Sequence, residues 1–288
     1  DTRYSKSCGG ISENNENVWD DKPKKYMRGI FDGCGNIPDF SDEEQLNKWI
    51  FEPQDCYCNN EYVKKSELKN FLGSVDEDGD YFRWEITYSN EQLTKIINKK
   101  LNESFDSIES LIPIKRGVSG RIISLIISGK KNQKEYKTLV DSEYDIRNTL
   151  HPEFLYSSAF VINANSDSQS CAEKITLSGA GWGHGAGLCQ IGALGMAIIG
   201  KSSEEILEHY FLSTEIKKHN YSYHSLDKPT ITDAEYDKLV KENNELERKY
   251  PHLILEFSPS KIVGSKIKNK FEKIKHLSQM YSLGNAFS

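Results

Sequence analysis

No run of this sequence approaches the roughly 18 consecutive apolar residues of a membrane-spanning helix, so no span is predicted. Nor does the opening, Asp1-Thr2-Arg3-Tyr4, have the charged-then-apolar layout of a signal peptide. An initiating methionine is lacking as well. The first is Met27, so the sequence is expected to begin inside a longer chain, with any export signal upstream. The six cysteines (Cys8, Cys34, Cys56, Cys58, Cys171, Cys189) contain no C-x-x-C pair, which removes the zinc-finger pattern and leaves no metal ligand assigned. Disulfides and buried free thiols both stay open, because the compartment decides between them.

What is present reads as folded. Over 288 residues, 37% hydrophobic, 28% charged and 11% aromatic content argues for globular structure, and the length favours two domains. Charge is uneven: residues 218–288 carry 12 Lys+Arg against 9 Asp+Glu, and the rest carries 25 against 34. A mildly basic end suits phosphates better than an acidic one. No nucleic-acid site emerges from this. The acidic turn Asp76-Glu77-Asp78-Gly79-Asp80 lacks the glycine and glutamate positions of a calcium loop and reads as a solvated turn.

Residues 1–60, rich in Gly, Asn, Asp and Cys, predict loops between short strands, with one helix over 42–51. Alternation from Tyr81 to Tyr88 predicts a strand, and Ser89 caps a helix that follows. Further strands are expected at 107–115, 119–127, 135–140, 159–164 and 174–178. Strands and helices without regular βα alternation predict an α+β fold.

The most informative stretch runs from Leu177 to Ala193, with glycine at every second position from 179 to 187. Such spacing predicts a ribbon bare on one side, open to a backbone or ligand, with Trp182 and His184 on the other. Helices over Leu188–Ile199 and from a Ser202/Glu205 capping box are expected next. Gly195 to Ser202 also satisfies G-x-x-x-x-G-K-[ST], but it lies between two helices rather than after a strand, which argues against a phosphate loop. His184 and Gln190 are the candidate catalytic side chains, an imidazole and an amide facing the loop. Glu13 and Glu16 read as surface turn carboxylates.

The run GAGWGHGAGLCQIGALGMAIIGKSSEEILEHYF resembles the C-terminal signature of the stage II sporulation protein D (SpoIID/LytB) family. In order before it come Ser7-Cys8-Gly9-Gly10, Glu16-Asn17-Val18-Trp19, Phe82-Arg83-Trp84, Ser119-Gly120-Arg121, Arg147 with Leu150, and Ser157-Ser158-Ala159-Phe160. The resemblance covers residues 1–217 and implies a lytic transglycosylase type of domain, acting on peptidoglycan glycan strands in wall remodelling at the cell envelope, without a cofactor. It implies a saccharide groove lined by Cys8, Gly9, Trp19, Trp182, His184 and Gln190. That family's general-acid glutamate, and the zinc-ligand cluster of some members, lie upstream of the Ser-Cys-Gly-Gly element and so would precede Asp1. Without a protonated carboxyl no turnover is expected.

From His219 the text changes character with no flexible linker, so the domains are expected at 1–217 and 218–288. Thr232 or Asp233 caps a helix that stops before Pro251. Tyr223, His224, Asp233, Tyr236 and Asp237 gather aromatics, an imidazole and carboxylates able to stack on and bond a charged nicotinamide ribose. HNYSYHSLDKPTITDAEYDKL, SPSKIVG and KHLSQMYSLGNAFS resemble the N-terminus of bacterial NAD-dependent DNA ligases, implying a small, mainly helical, cytoplasmic segment. The resemblance places those five residues on the nicotinamide mononucleotide half of NAD, with Ser282 and Leu283 near its adenosine. Its adenylylated lysine would lie beyond Ser288, so binding without adenylate formation is expected. Three readings therefore compete: a wall-glycan enzyme or binder, an NAD-binding ligase fragment, and a gene-fusion product with no joint function.

Overall fold

The computed structural model describes residues 3–19, 22–59, 61–72, 80–165, 173–211 and 232–249. The chain divides into two compact units, Asp1–Leu212 and Ser213–Ser288.

In the first unit β1 (Tyr4–Ser5) leads into loops braced by a 3-10 turn (Asn15–Asn17), then α1 (Glu43–Phe51) and α2 (Lys65–Leu72). The order continues β2 (Arg83–Ser89), α3 (Asn90–Leu101), β3 (Ser107–Arg116), β4 (Ile122–Lys131), β5 (Lys134–Val140) and α4 (Glu143–Thr149). It ends with β6 (Phe160–Asn165), β7 (Lys174–Ala180), β8 (Leu188–Cys189), α5 (Gln190–Ile198) and α6 (Ser203–Tyr210). This is an α+β architecture with two three-stranded antiparallel sheets, β2-β7-β6 and β3-β4-β5, and a parallel β1-β8 pair.

Local chemistry accounts for most elements. Asp42 caps α1 by accepting from the Glu44 N–H, and Leu46, Trp49 and Ile50 bury one face at i, i+3, i+4 spacing. Ser89 and Gln92 close a reciprocal capping box on α3, which buries Leu93, Thr94 and Ile97 and stops at left-handed Asn102. β4 lies between two strands, so it is buried along most of its length and reads as a continuous apolar run.

Two apolar clusters result. One joins the sheets to α3 and α4 through Leu93, Ile97, Ile108, Leu125, Ile146 and Phe160. The other gathers the N-terminal loops, α1, α5 and α6 around Trp49, Phe31, Met196 and Tyr210. Gly195 to Ser202 forms the end of α5, a left-handed turn at Gly200 and the N-cap of α6, with no strand before it. Helices α2 and α4 lie where the sequence predicted none, and the strand expected from Ser119 starts at Ile122 because Gly117 to Arg121 make a tight turn. No described helix is long and apolar enough to cross a membrane.

The second unit contributes α7 (Asp233–Lys249) to the described residues. Thr232, not Asp233, caps it: Thr232 Oγ1 accepts from the Glu235 N–H at 3.3 Å, and the Glu235 carboxylate accepts from the Thr232 N–H at 2.9 Å.

Candidate functional site

The glycine loop is not a flat ribbon. Gly181, Gly183, Gly185 and Gly187 all have φ between 77° and 102°, so alternate residues do not line two faces as in a strand. The left-handed kinks fold the loop onto the Ser7–Cys8 segment, where Ser7 and Trp182 exchange backbone hydrogen bonds at 3.1 and 2.8 Å. A Cβ on Gly181 would stand 2.8 Å from the Ser7 carbonyl oxygen, and one on Gly185 would enter the Arg121 guanidinium. Arg121 is wholly buried and donates to the carbonyls of Cys8 (3.4 Å), Ile11 (3.5 Å) and Gly183 (3.3 Å). It thereby ties the two glycine-containing loops together.

The residues expected to share a saccharide groove differ in burial. Cys8 and Gly9 are buried, while Trp19, Trp182, His184 and Gln190 are half-buried. Trp19 and His184 do meet, edge to face at 4.7 Å, whereas Trp182 stacks on Tyr156 at 4.1 Å and meets Tyr81 at 4.9 Å. Gln190 opens α5. The His184 Nδ1 accepts from the Ala186 N–H at 3.1 Å. Burial, with Arg121 and Arg147 adding positive charge, pulls its pKa down to about 4, so it is neutral at pH 7. Two clefts lie around Arg116, Glu43 and Pro113.

Glu13 corrects the surface-turn expectation. Its carboxylate is fully buried and accepts from the N–H groups of Asn14 (2.9 Å), Val118 (3.2 Å) and Ser119 (3.1 Å), from Asn17 Nδ2 (2.9 Å) and from Ser119 Oγ (2.5 Å). The donors of the β3–β4 turn require an acceptor, and Glu13 supplies it. Glu16, half-buried, holds Arg28 through two short bonds of 2.6 and 2.7 Å, which keep its carboxyl below the usual range.

A second constellation escaped the sequence. Cys8, Asp32, Cys58 and Cys189 converge in the interior, their nearest S and O atoms all within 4.8 Å of one another. Cys8 Sγ lies 3.7 Å from Cys58 Sγ and 3.5 Å from Asp32 Oδ2. Cys8, Cys34, Cys56, Cys58 and Cys189 are free thiols; Cys171 lies outside the described residues. Burial pushes the Cys8 and Cys189 thiols up and that of Cys58 to about 12.

On α7, Asp233 and Asp237 are exposed and one turn apart, with half-buried Tyr236 between them, so helical spacing sets the three on one face. Tyr223, His224, Ser282 and Leu283 lie outside the described residues.

Comparison with known proteins assigns the two parts separately. The family model described as "Domain of unknown function (DUF8618)" matches residues 13–187, more than half of the chain. The chain belongs to the DUF8618 family. The comparisons lend the SpoIID/LytB resemblance no support; DUF8618 is what is shown over that stretch. Residues 203–264 match a second model, "DNA ligase-like, N-terminal NAD+-binding domain". Among curated relatives, the DNA ligase of Rickettsia massiliae (strain Mtu5) is 49% identical over 87 residues, 30% of this chain and 12% of the relative. That of Rickettsia bellii (strain OSU 85-389) is 51% identical over 76 residues, 26% and 11%. That of Rickettsia akari (strain Hartford) is 51% identical over 85 residues, 30% and 12%. This DUF8618 chain thus spans 11–12% of the length of these ligases.

Proposed function

We propose that the C-terminal segment recognises the nicotinamide mononucleotide half of NAD. The observation that carries this reading is the match of residues 203–264 to the DNA ligase-like, N-terminal NAD+-binding domain, which spans Tyr223, His224, Asp233, Tyr236 and Asp237. The α7 geometry agrees with it. Asp233 and Asp237 offer carboxylates to ribose hydroxyls and to the positive nicotinamide ring, and Tyr236 beside them offers an aromatic face for stacking. Tyr223 and His224 complete the nicotinamide side, and Ser282 and Leu283 the adenosine side. Recognition of this kind needs no nucleophile, and strand joining is not part of the proposal.

The wall-glycan reading has no comparable support. Of its six residues Cys8 and Gly9 are buried, and the family matched over 13–187 states no activity.

Isothermal titration of the full chain tests the proposal. Heat is expected with NAD and with nicotinamide mononucleotide, less with AMP, and the Asp233→Ala/Tyr236→Ala double variant is expected to weaken NAD at least about tenfold, about 1.4 kcal/mol. No heat with either nicotinamide ligand would overturn it. A parallel titration with peptide-free glycan fragments is expected to be silent.

A further inference from the structure

The Cys8, Asp32, Cys58 and Cys189 cluster plays no part in the NAD reading. We propose that it is a mononuclear, tetrahedral zinc site with the three sulfurs and Asp32 Oδ2 as ligands. A tetrahedral zinc with Zn–S of about 2.3 Å sets two sulfurs about 3.8 Å apart, and with Zn–O of about 2.0 Å sets sulfur and oxygen about 3.5 Å apart. The Cys8–Cys58 and Cys8–Asp32 separations are 3.7 and 3.5 Å. All four donors lie within 4.8 Å of one another, which leaves room for one ion and too little for a cluster of several irons. Three thiolates select zinc over magnesium or calcium.

The surroundings are built for an anionic centre. The backbone N–H groups of Cys8 and Gly192 donate to Cys189 Sγ at 3.2 and 3.3 Å, and this sulfur caps the N-terminus of α5, where the helix dipole favours a thiolate. Asp32 is held in turn: the Cys58 N–H donates to Oδ2 at 3.1 Å and the Tyr210 hydroxyl to Oδ1 at 2.5 Å. The Nε2 of His209 stands 3.5 Å from Oδ1, buried and without a hydrogen-bond partner. Such outer partners orient a ligating carboxylate.

Charge balance agrees. Three thiolates, a carboxylate and Zn2+ give a formal charge of about −2. Arg83 and Arg121 border the Cys8 loop, donating to the Gly9 carbonyl at 2.9 Å and the Cys8 carbonyl at 3.4 Å, and neither donates to a carboxylate among the described residues. Arg83 spends its other donors on the carbonyls of Ile50, Phe82 and Trp49. A desolvated Arg83 held only by neutral carbonyls is costly, and an anionic metal centre beside it offsets that cost. With four buried protein ligands the site is structural, pinning the Cys8, Asp32 and Cys58 loops to the start of α5.

The test is metal analysis of the full chain purified under reducing conditions, where one zinc per chain is expected. Cys58→Ser and Cys189→Ser are expected to lose it, whereas Cys34→Ser, at an exposed thiol outside the cluster, keeps it. Because a ligand variant can also unfold, the wild-type chain stripped by chelator is titrated with Co2+. A thiolate-to-cobalt charge-transfer band that zinc abolishes is expected. A wild-type chain that carries no zinc and gives no cobalt band overturns the proposal. So does a Cys58→Ser chain with full zinc, or an intact mass showing a Cys8–Cys58 disulfide in place of the metal.

Discussion

Replacing Glu13 by alanine removes the acceptor of five hydrogen bonds at a site with no access to water. The N–H groups of Val118 and Ser119 have no alternative partner within the turn, and the Asn14 N–H loses its own. Each buried donor left unpaired costs about 1–3 kcal/mol, and partial solvation of the half-buried donors reduces the total to about 3–5 kcal/mol. That is a large share of the 5–15 kcal/mol that typically holds a domain together. Glu13→Gln keeps the shape and one acceptor oxygen but turns an NH2 toward Ser119, so about half the loss is expected. Urea unfolding followed by tryptophan fluorescence reads both variants as a lower midpoint at unchanged slope. A surface turn carboxylate would change stability by less than about 0.5 kcal/mol. A Glu13→Ala chain within that margin of wild type would refute the role of Glu13 as the acceptor for the β3–β4 turn.

Two further outcomes follow from the glycine loop. Gly185→Ala combines a φ of +77° with a Cβ driven into the Arg121 guanidinium, while Gly200→Ala has a φ of +87° and nothing within 4 Å. The first is expected to cost well over 2 kcal/mol and the second only the left-handed penalty of about 1–2 kcal/mol, by the same unfolding measurement; equal losses would count against the clamp. For His184 the folded pKa of about 4 lies below the ordinary 6.5. The folded state therefore resists protonation, and the stability this contributes is present in full above about pH 6.5 and lost as pH falls through about 4. Its imidazole proton resonance should not titrate above pH 5, and a midpoint near 6.5 would show the ring to be solvated.

Local signals were the legible ones. Asp42, Ser89 and Ser202 announce α1, α3 and α6 because a capping side chain and the N–H that donates to it lie within three residues of each other in the chain. α4 has the same kind of cap, the Ser142 hydroxyl accepting from the Asp145 N–H at 2.9 Å, but nothing local announces that its Glu143 and Arg147 are buried and bonded at 3.2 Å, with Arg147 also donating to the Leu155 carbonyl at 2.8 Å. Glu13 deceived for the same reason. A charged letter records chemistry and not burial, and here four charged side chains are interior fasteners: Glu13 and Arg121 bind distant segments, while Glu143 and Arg147 pair within α4.

The thiol cluster shows the limit most sharply. Cys8 is 24 residues from Asp32, 50 from Cys58 and 181 from Cys189, so no spacing rule for metal ligands reaches across it. What brings the four together is backbone: Ser7 pairs with Trp182, the Asp32 N–H donates to the Gly10 carbonyl at 2.8 Å, and the Tyr57 N–H donates to the Asp32 carbonyl at 2.7 Å. Glycines let the segments approach to contact, as where a Cβ on Gly9 would stand 2.6 Å from the Gly181 nitrogen. The alternating glycines therefore mark where two segments of the chain cross. Beside that crossing lie the cysteine after Ser7 and the cysteine before Gln190, which the glycine pattern brings within reach of each other although 181 residues separate them.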